Sequence, residues 1–155
     1  MKKRTLLFTP LLFLFINCAV NKNSIENEKK MTEKIEKHKS MLLENAQLDT
    51  FPIQSDSIEI LAVQINNNLM EIEVAYSGGC QSHLFSLKGS PNISKSLPPI
   101  RRIKLVHNSN GDQCKKYIIQ KLEIDITELA YKKIKGSQII LKLDGWKSKI
   151  IYTFS

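Results

Sequence analysis

The sequence predicts an all-β domain, an antiparallel, immunoglobulin-like β-sandwich of about seven strands. Two observations lead to this fold class. Beyond Phe51, apolar and polar residues alternate in short runs, which is the period of a half-buried strand. Clusters of Asn, Gly, Asp, Ser and Pro separate these runs at regular intervals, as turns do in a sandwich. The length of 155 residues and the 25% of charged residues fit one domain of ordinary size.

Residues 1–17 have the features of a secretory signal peptide. A basic start at Lys2–Arg4 precedes the apolar stretch Leu6–Ile16, which is too short to cross a bilayer as a stable helix. The end of this stretch, Leu14–Cys18, resembles the lipobox of bacterial lipoproteins, so we expect palmitate-type lipidation of Cys18 and attachment to a membrane. The alternative is an uncleaved N-terminal anchor with an incidental Cys18. Both interpretations place the rest of the chain outside the cytoplasm.

The predicted location is the bacterial cell envelope, with the outer membrane favoured and the domain in the periplasm or on the cell surface. The net charge is +8, and removal of Lys2–Arg4 leaves 20 basic side chains against 15 acidic ones, or +5. This excess is spread along the chain and favours anionic lipid or polysaccharide as a neighbour. An exported lipoprotein rarely meets nucleic acid, so we expect no nucleic-acid partner.

Residues 18–50 are predicted to form the lipidated cysteine and a polar tether. Helical spacing of Met31, Ile35, His38 and Leu42 makes part of this tether amphipathic, with His38 as a solvated side chain. The segment Asp49–Pro52 marks the change of pattern, and the sandwich is assigned to residues 51–155.

The first predicted strands form a hairpin. One strand alternates over Leu61–Ile65, Asn66–Asn68 turns the chain, and the next strand holds Met70 to Tyr76 opposite Glu71 and Glu73. After the Gly78-Gly79 break, a third strand places His83, Phe85 and Leu87 on one face. The stretch Gly89–Pro99 is predicted to be a loop.

The remaining strands follow the same pattern. Ile103, Leu105 and His107 alternate with basic residues, and a turn over Asn108–Gln113 leads to a long strand through Ile118, Leu122, Ile124 and Ile126. A short helix from Thr127 to Gly136 is predicted next. A strand at Ile139–Leu143, the hairpin dipeptide Asp144-Gly145 and a strand at Ile150–Phe154 complete the sandwich, with Trp146 covering one end.

Two cysteines and two histidines form the candidate site. In an exported protein, Cys80 and Cys114 favour a disulfide across a loop of about 35 residues. The alternative is a zinc or copper site in which Cys80, His83, His107 and Cys114 supply two sulfur and two nitrogen ligands. Both histidines lie at strand ends on the core-facing side, where they can converge.

Catalysis finds little support in the sequence. A nucleophile at Cys80 would need a free thiol of low pKa and a neighbouring base. G-x-S-x-G, H-E-x-x-H and phosphate-loop motifs do not occur in the chain, and Asp112, Asp125 and Asp144 fit turn or outward-facing positions. We therefore predict a protein that is not an enzyme and has no catalytic residues and no cofactor.

Several short motifs occur in a recognisable order: Gly78-Gly79-Cys80-x-x-His83-x-Phe85, Pro98-Pro99, Leu105-Val106-His107, Asn110-Gly111-Asp112-x-Cys114 and Leu143-Asp144-Gly145-Trp146. This series resembles the C-terminal β-sandwich domain of NigD-like and related uncharacterised lipoproteins of Bacteroidota. This resemblance implies an exported, lipid-anchored sandwich of unknown activity, in which Cys80 and Cys114 match the paired cysteines. Two functions follow: a non-enzymatic binding or structural module with an envelope protein or glycan as partner, or a periplasmic zinc- or copper-binding domain.

Overall fold

A computed structural model of the protein describes residues 41–155. The predicted signal peptide, the lipidation site Cys18 and His38 lie outside the described residues. The described part contains nine strands and one short 3₁₀ turn. The strands are β1 (Met41–Leu42), β2 (Gln47–Leu48), β3 (Glu59–Asn66), β4 (Leu69–Gly78), β5 (Leu84–Ser94), β6 (Ile100–Asn108), β7 (Lys116–Asp125), β8 (Gln138–Leu143) and β9 (Ile150–Thr153).

The strands form two sheets, which confirms the predicted β-sandwich. The four-stranded sheet has the order β1-β7-β4-β3, and the five-stranded sheet has the order β2-β5-β6-β8-β9. Both sheets are mixed rather than purely antiparallel, because β1–β7, β2–β5 and β6–β8 are parallel pairs. The pair β6–β8 is parallel because the chain visits the other sheet as β7 before it returns. An antiparallel pair needs only a hairpin, whereas a parallel pair needs such a crossover.

The core lies between the inner faces of the two sheets and follows the predicted alternation. Alternate residues of β4 and β7 meet alternate residues of β5, β6, β8 and β9. The fully buried side chains among them include Met70, Ile72, Val74, Leu87, Ile103, Leu122, Ile124, Leu141 and Tyr152. Each buried aliphatic side chain of this size contributes about 1.5–3 kcal/mol. Trp146 is half-buried and packs against this core, as expected for a residue at the end of the sandwich.

The sheets include residues before the predicted start at Phe51. β1 pairs with β7 at Leu122 and Glu123, and β2 pairs with β5 at Lys88 and Gly89. Between them Ala46 is fully buried in the core. A strand of two residues is too short to show alternation of apolar and polar residues. The sequence of this polar segment therefore did not predict β1 and β2.

The predicted loop at Gly89–Pro99 is wrong over its first half, because β5 continues to Ser94. The pairing with β6 is irregular between Gly89 and Ile93, and it resumes opposite Arg101. At Gly89 a side chain would collide with Leu129, which packs against the bare backbone. Glycine and proline in this stretch therefore mark an irregular strand rather than a loop.

The predicted helix after Thr127 is also wrong, since only one 3₁₀ turn forms at Thr127–Leu129. Ala130 is extended, with φ −57° and ψ 148°, so the helical turn ends there. Leu129 is fully buried, and its packing holds the turn against the core. This packing outweighs the helix propensity of the residues that follow, so the helix does not continue. No helix within residues 41–155 has the length and apolar character needed to cross a membrane.

Candidate functional site

A disulfide joins Cys80 and Cys114 at one end of the sandwich, as predicted. Cys80 follows β4 and Cys114 precedes β7, and these neighbouring strands end with Gly78 opposite Lys116. The two Cα atoms are 5.9 Å apart, within the range that a disulfide requires. The bridge thus links two loops of the same sheet, not the two sheets.

The two histidines converge beside this bridge. His83 lies directly before β5 and His107 lies in β6, and both side chains are buried. Nδ1 of His83 is 2.8 Å from Nε2 of His107, and Nδ1 of His107 is 3.0 Å from the carbonyl oxygen of Ser57. Their core-facing parity in neighbouring strands explains why the rings meet.

Asp112 connects the histidines to the disulfide loops. Its Oδ2 accepts hydrogen bonds of 2.9 Å from each of the backbone N–H groups of Gly79, Cys80 and Gln81. Its Oδ1 accepts a bond of 2.8 Å from the N–H of Cys114, and Oδ2 is 3.2 Å from Nε2 of His83. These backbone donors, with Cys114 and Gln81 the strongest, hold the pKa of Asp112 well below its usual range. Consecutive N–H groups that converge on one oxygen form an anion-binding nest, and here the protein's own carboxylate fills it.

The hydrogen bonds fix the number of protons on the two rings. The line of contacts ends on an acceptor at each side, the carboxylate of Asp112 and the carbonyl of Ser57. Three hydrogen bonds along this line need three protons on four ring nitrogens, so the pair carries one positive charge when all are made. A second charge would break the bond between His83 and His107. Burial lowers the pKa of His107, although the hydrogen bond to the carbonyl of Ser57 acts in the opposite direction.

Aromatic rings surround the histidine pair. Phe85 stacks on His107 with ring centroids 4.9 Å apart and an angle of 7° between the planes. Tyr76 packs on His83 at 4.6 Å, and its hydroxyl donates a hydrogen bond of 2.7 Å to Oε1 of Gln120. Burial raises the pKa of Tyr76. These contacts hold the rings rigidly in place.

Asp56 attaches the segment before β3 to the same end of the sandwich. Its carboxylate accepts hydrogen bonds of 2.7 and 2.6 Å from the N–H and hydroxyl of Ser109, which lower its pKa. Its backbone N–H donates to the carbonyl of His107, and the hydroxyl of Ser55 accepts from the N–H of His107. Loops from both sheets are therefore fastened around one polar cluster.

The solvent side of this cluster forms a surface cleft of about 440 Å³. Asp56, Ser57, Glu59, Ser109 and Tyr117 are among the residues that line it, with Tyr76, His107 and Asp112 on the inner side. Tyr117 is 62% exposed. The cleft combines carboxylates, hydroxyls and an exposed aromatic ring on a rigid base.

The histidines, Asp112 and the cysteines are residue types found in catalytic sites, but in this structure their polar side-chain atoms are engaged with one another and with the backbone. Both cysteine sulfurs belong to the disulfide, so neither is a thiolate nucleophile or a thiolate ligand in this oxidised form. Within residues 41–155, every buried side-chain nitrogen or oxygen has a hydrogen-bond partner. The alternative zinc or copper site at Cys80, His83, His107 and Cys114 requires the reduced protein, and it stays a prediction for that form.

Sequence reasoning missed two residues that organise the fold. Asp112 was interpreted as a turn residue, although an Asp two positions before Cys114 suits a side-chain bond to that residue's N–H. Arg101 was not singled out, yet it is buried and donates to the carbonyls of Ser90, Leu129 and Ala130. It shares the parity of Ile103, Leu105 and His107, so the alternation along β6 already indicates an inward-facing side chain at this position.

Comparisons with known proteins give a likeness of fold. No protein-family model matches the sequence, and no curated protein matches it. Among solved structures, the chain is similar to a NigD-like immunity protein from Bacteroides caccae, with a TM-score of 0.56 and 13% identity over 72% of this chain and 64% of that one. It is also similar to a protein of unknown function (DUF1344) from Bacteroides vulgatus, with a TM-score of 0.50 and 14% identity over 75% of this chain and 58% of that one.

These two matches show that the chain has the fold of a NigD-like protein. They extend the predicted resemblance from short motifs to the arrangement of the strands. The chain spans less than two thirds of the length of either solved structure. The likeness therefore describes the sandwich alone.

Proposed function

We propose that the protein is a non-enzymatic lipoprotein of the bacterial envelope, anchored through Cys18, whose sandwich binds an envelope protein or glycan. The cleft beside the disulfide is the proposed binding surface. The anchor would hold the cleft at the membrane, and no nucleic acid is involved.

The observation that carries this proposal is the closed hydrogen-bond network under the cleft. His83, His107 and Asp112 use their polar atoms on one another and on the backbone. A general base or nucleophile has to reach the reacting group directly, and these groups are engaged elsewhere. What faces solvent is a rigid surface with Tyr117 at its rim. Rigid, partly exposed aromatic residues are typical anchors of binding surfaces.

The structural likeness supports a binding role. The Bacteroides caccae protein is named a NigD-like immunity protein. Transfer of the role to this chain is part of the proposal, because the likeness at 13% identity concerns the fold.

Photo-crosslinking in intact cells tests the binding surface. Tyr117 in the full chain is replaced by a photoreactive phenylalanine analogue, and Tyr131, which is 44% exposed and lies outside the lining of the cleft, receives the same change as a control. We expect a discrete adduct at position 117 and none at position 131. Digestion of the adduct with protease or glycosidase then distinguishes a protein from a glycan. Equal labelling at both positions, or none, would contradict the proposal.

The anchor is tested separately with Cys18→Ala. The unsubstituted chain should incorporate labelled palmitate and fractionate with membranes, and the variant should lose the label. A labelled variant, or an unlabelled parent chain, would refute lipidation at this position without bearing on the cleft.

A further inference from the structure

We propose that two copies of this chain pair through the free edge of β3 and form one continuous sheet. This inference concerns a surface away from the cleft and does not depend on the proposed anchor or partner. It rests on the composition of β3, on its register and on the apolar surface beside it.

The edge of β3 is long, and from Ala62 to Asn66 it carries no feature that prevents pairing. Within residues 41–155, β3 pairs only with β4, so its other side offers a row of unpaired backbone groups. The stretch Ile60–Asn66 contains no charged residue and no proline or glycine. Natural edge strands are commonly protected by lysine, proline, short length or bulges. The protective devices in β3 are the exposed Glu59 and a register shift between Ile60 and Ala62, and both lie near the start of the strand.

The other edges of the described sandwich differ from β3. β1 and β2 are two residues each, which gives a partner little to pair with. β9 has four residues, and Lys147 and Lys149 directly precede it. Short strands and flanking lysines are the devices that keep edges apart. β3 is therefore the edge that the structure leaves open to a strand.

The sequence of β3 complements itself in an antiparallel arrangement. A register centred on Gln64 places Gln64 opposite its own copy, Ala62 opposite Asn66 of the second copy, and Val63 opposite Ile65 of the second copy. Side chains directly opposite in antiparallel strands share one face. Val63 and Ile65 pack toward the core, whereas Ala62 and Gln64 lie with Glu71 and Glu73 on the outer face. Apolar residues thus meet apolar residues, and neutral polar residues meet small or neutral ones.

Charge does not oppose this arrangement. The nearest carboxylate on the outer face is that of Glu71, whose residue pairs with Gln64 inside each copy. The two Glu71 residues would be three strand spacings apart, roughly 14 Å, which exceeds the Debye length at physiological salt. Another protein could pair with β3 even if β3 were not complementary to itself. Because β3 does complement itself in the symmetric register, a second copy of this chain is the favoured partner.

A partly apolar cleft lies along the same side of the sandwich. It has a volume of about 450 Å³, and its lining combines Ile65, Ile151 and Phe154 with polar residues that include Lys135. Ile151 is 62% exposed. A second copy on β3 would bring new surface next to this cleft and bury part of it, which adds hydrophobic stabilisation to the backbone hydrogen bonds.

The first test is the mass of the full chain by sedimentation and light scattering over a range of concentrations. We expect a dimer that dissociates on dilution. Gln64→Lys should raise the dimer dissociation constant at least about tenfold, because it places like charges directly opposite each other. The variant should fold normally, since the new lysine faces Glu71. Gln138→Lys makes the same change at an exposed position in β8 and should leave the dimer unchanged.

The second test is disulfide crosslinking under mild oxidation. Gln64→Cys in the full chain should produce a covalent dimer, because opposite Cβ atoms in antiparallel strands lie about 4.5–5.5 Å apart. Gln138→Cys on β8 and the unsubstituted chain give the background. A monomer at all concentrations would overturn the proposal. A dimer that withstands Gln64→Lys and does not crosslink through Gln64→Cys would overturn it too, because another surface would then hold the copies together.

Discussion

Removal of the Cys80–Cys114 bridge should destabilise the domain through the unfolded state. The cysteines are 34 residues apart, and closing a loop of that length lowers the entropy of the unfolded chain enough to stabilise the fold by about 3.8 kcal/mol at 25 °C. The 115 described residues give an unfolding entropy of roughly 240 cal/mol/K, so the double variant Cys80→Ser/Cys114→Ser should melt about 16 °C lower.

The folded state should change much less than the unfolded state. Asp112 accepts backbone hydrogen bonds from both disulfide loops, and these bonds remain when the sulfurs are removed. We therefore expect unchanged aromatic bands in the near-ultraviolet circular dichroism spectrum, together with a larger dependence of the unfolding free energy on urea. The larger slope arises because the unbridged unfolded chain exposes more surface.

Urea unfolding of the full chain measures this effect, with the fluorescence of Trp146, the single tryptophan, as the signal. Added reductant should lower the stability of the parent chain to that of the double variant and leave the variant itself unchanged. A loss below about 1 kcal/mol would refute the loop-entropy argument.

Three further predictions concern the polar groups. Stability should fall by up to about 1.4 kcal/mol per pH unit below about pH 6.5, because burial lowers the pKa of His107 in the folded state and the unfolded chain binds the extra proton. Urea titrations at several pH values should show this decline in the free energy of unfolding, and His107→Gln should make it smaller. An unaltered decline in the variant would contradict the attribution of the pH dependence to His107. Gly78→Ala should cost about 1–3 kcal/mol, because a Cβ there would lie 2.5 Å from Nε2 of His83, and a neutral effect in thermal unfolding would disprove the contact. Arg101→Met should lower the free energy of unfolding by about 2–4 kcal/mol, because it leaves buried carbonyl groups without hydrogen-bond donors. The control Arg102→Met removes an exposed surface ion pair and should change the free energy of unfolding by less than about 1 kcal/mol. Similar losses in both variants would argue against the buried position of Arg101.

The alternation of apolar residues was sufficient to predict the sandwich and most of its core. Met70, Ile72 and Val74 are buried on one face of β4, and Leu122 and Ile124 are buried on β7, as their parity predicts. This success has a physical reason. A strand with one buried face tolerates no shift by a single residue, so the sequence has to record which side faces inward.

The structural features that the sequence did not predict are those that produce no periodic pattern of apolar residues. β1 and β2 are too short for a pattern, and the parallel pairing of β6 with β8 depends on the path of the chain rather than on any local residue. The turn at Leu129 depends on a hydrophobic contact from a distant strand, which overrides local helix propensity.

The candidate site was predicted in part. The pairing of Cys80 with Cys114 and the convergence of His83 and His107 followed from compartment and parity. The role of Asp112 depends on three consecutive N–H groups that point at one oxygen, and this geometry exists only after the loops have folded.

The two shortest strands give the N-terminal end of the sandwich a mechanical property that its core does not share. A pull on the chain from before Met41 acts first on two ladders of two residue pairs each, which can open one after the other. Their release would free residues 41–52, roughly 40 Å of extended chain, while the contacts that hold residues 53–57 to β6 and the pairing of the strands from β3 onward stay in place. Under a pulling force, the N-terminal segment of the domain can therefore extend before any of the strands from β3 onward separates.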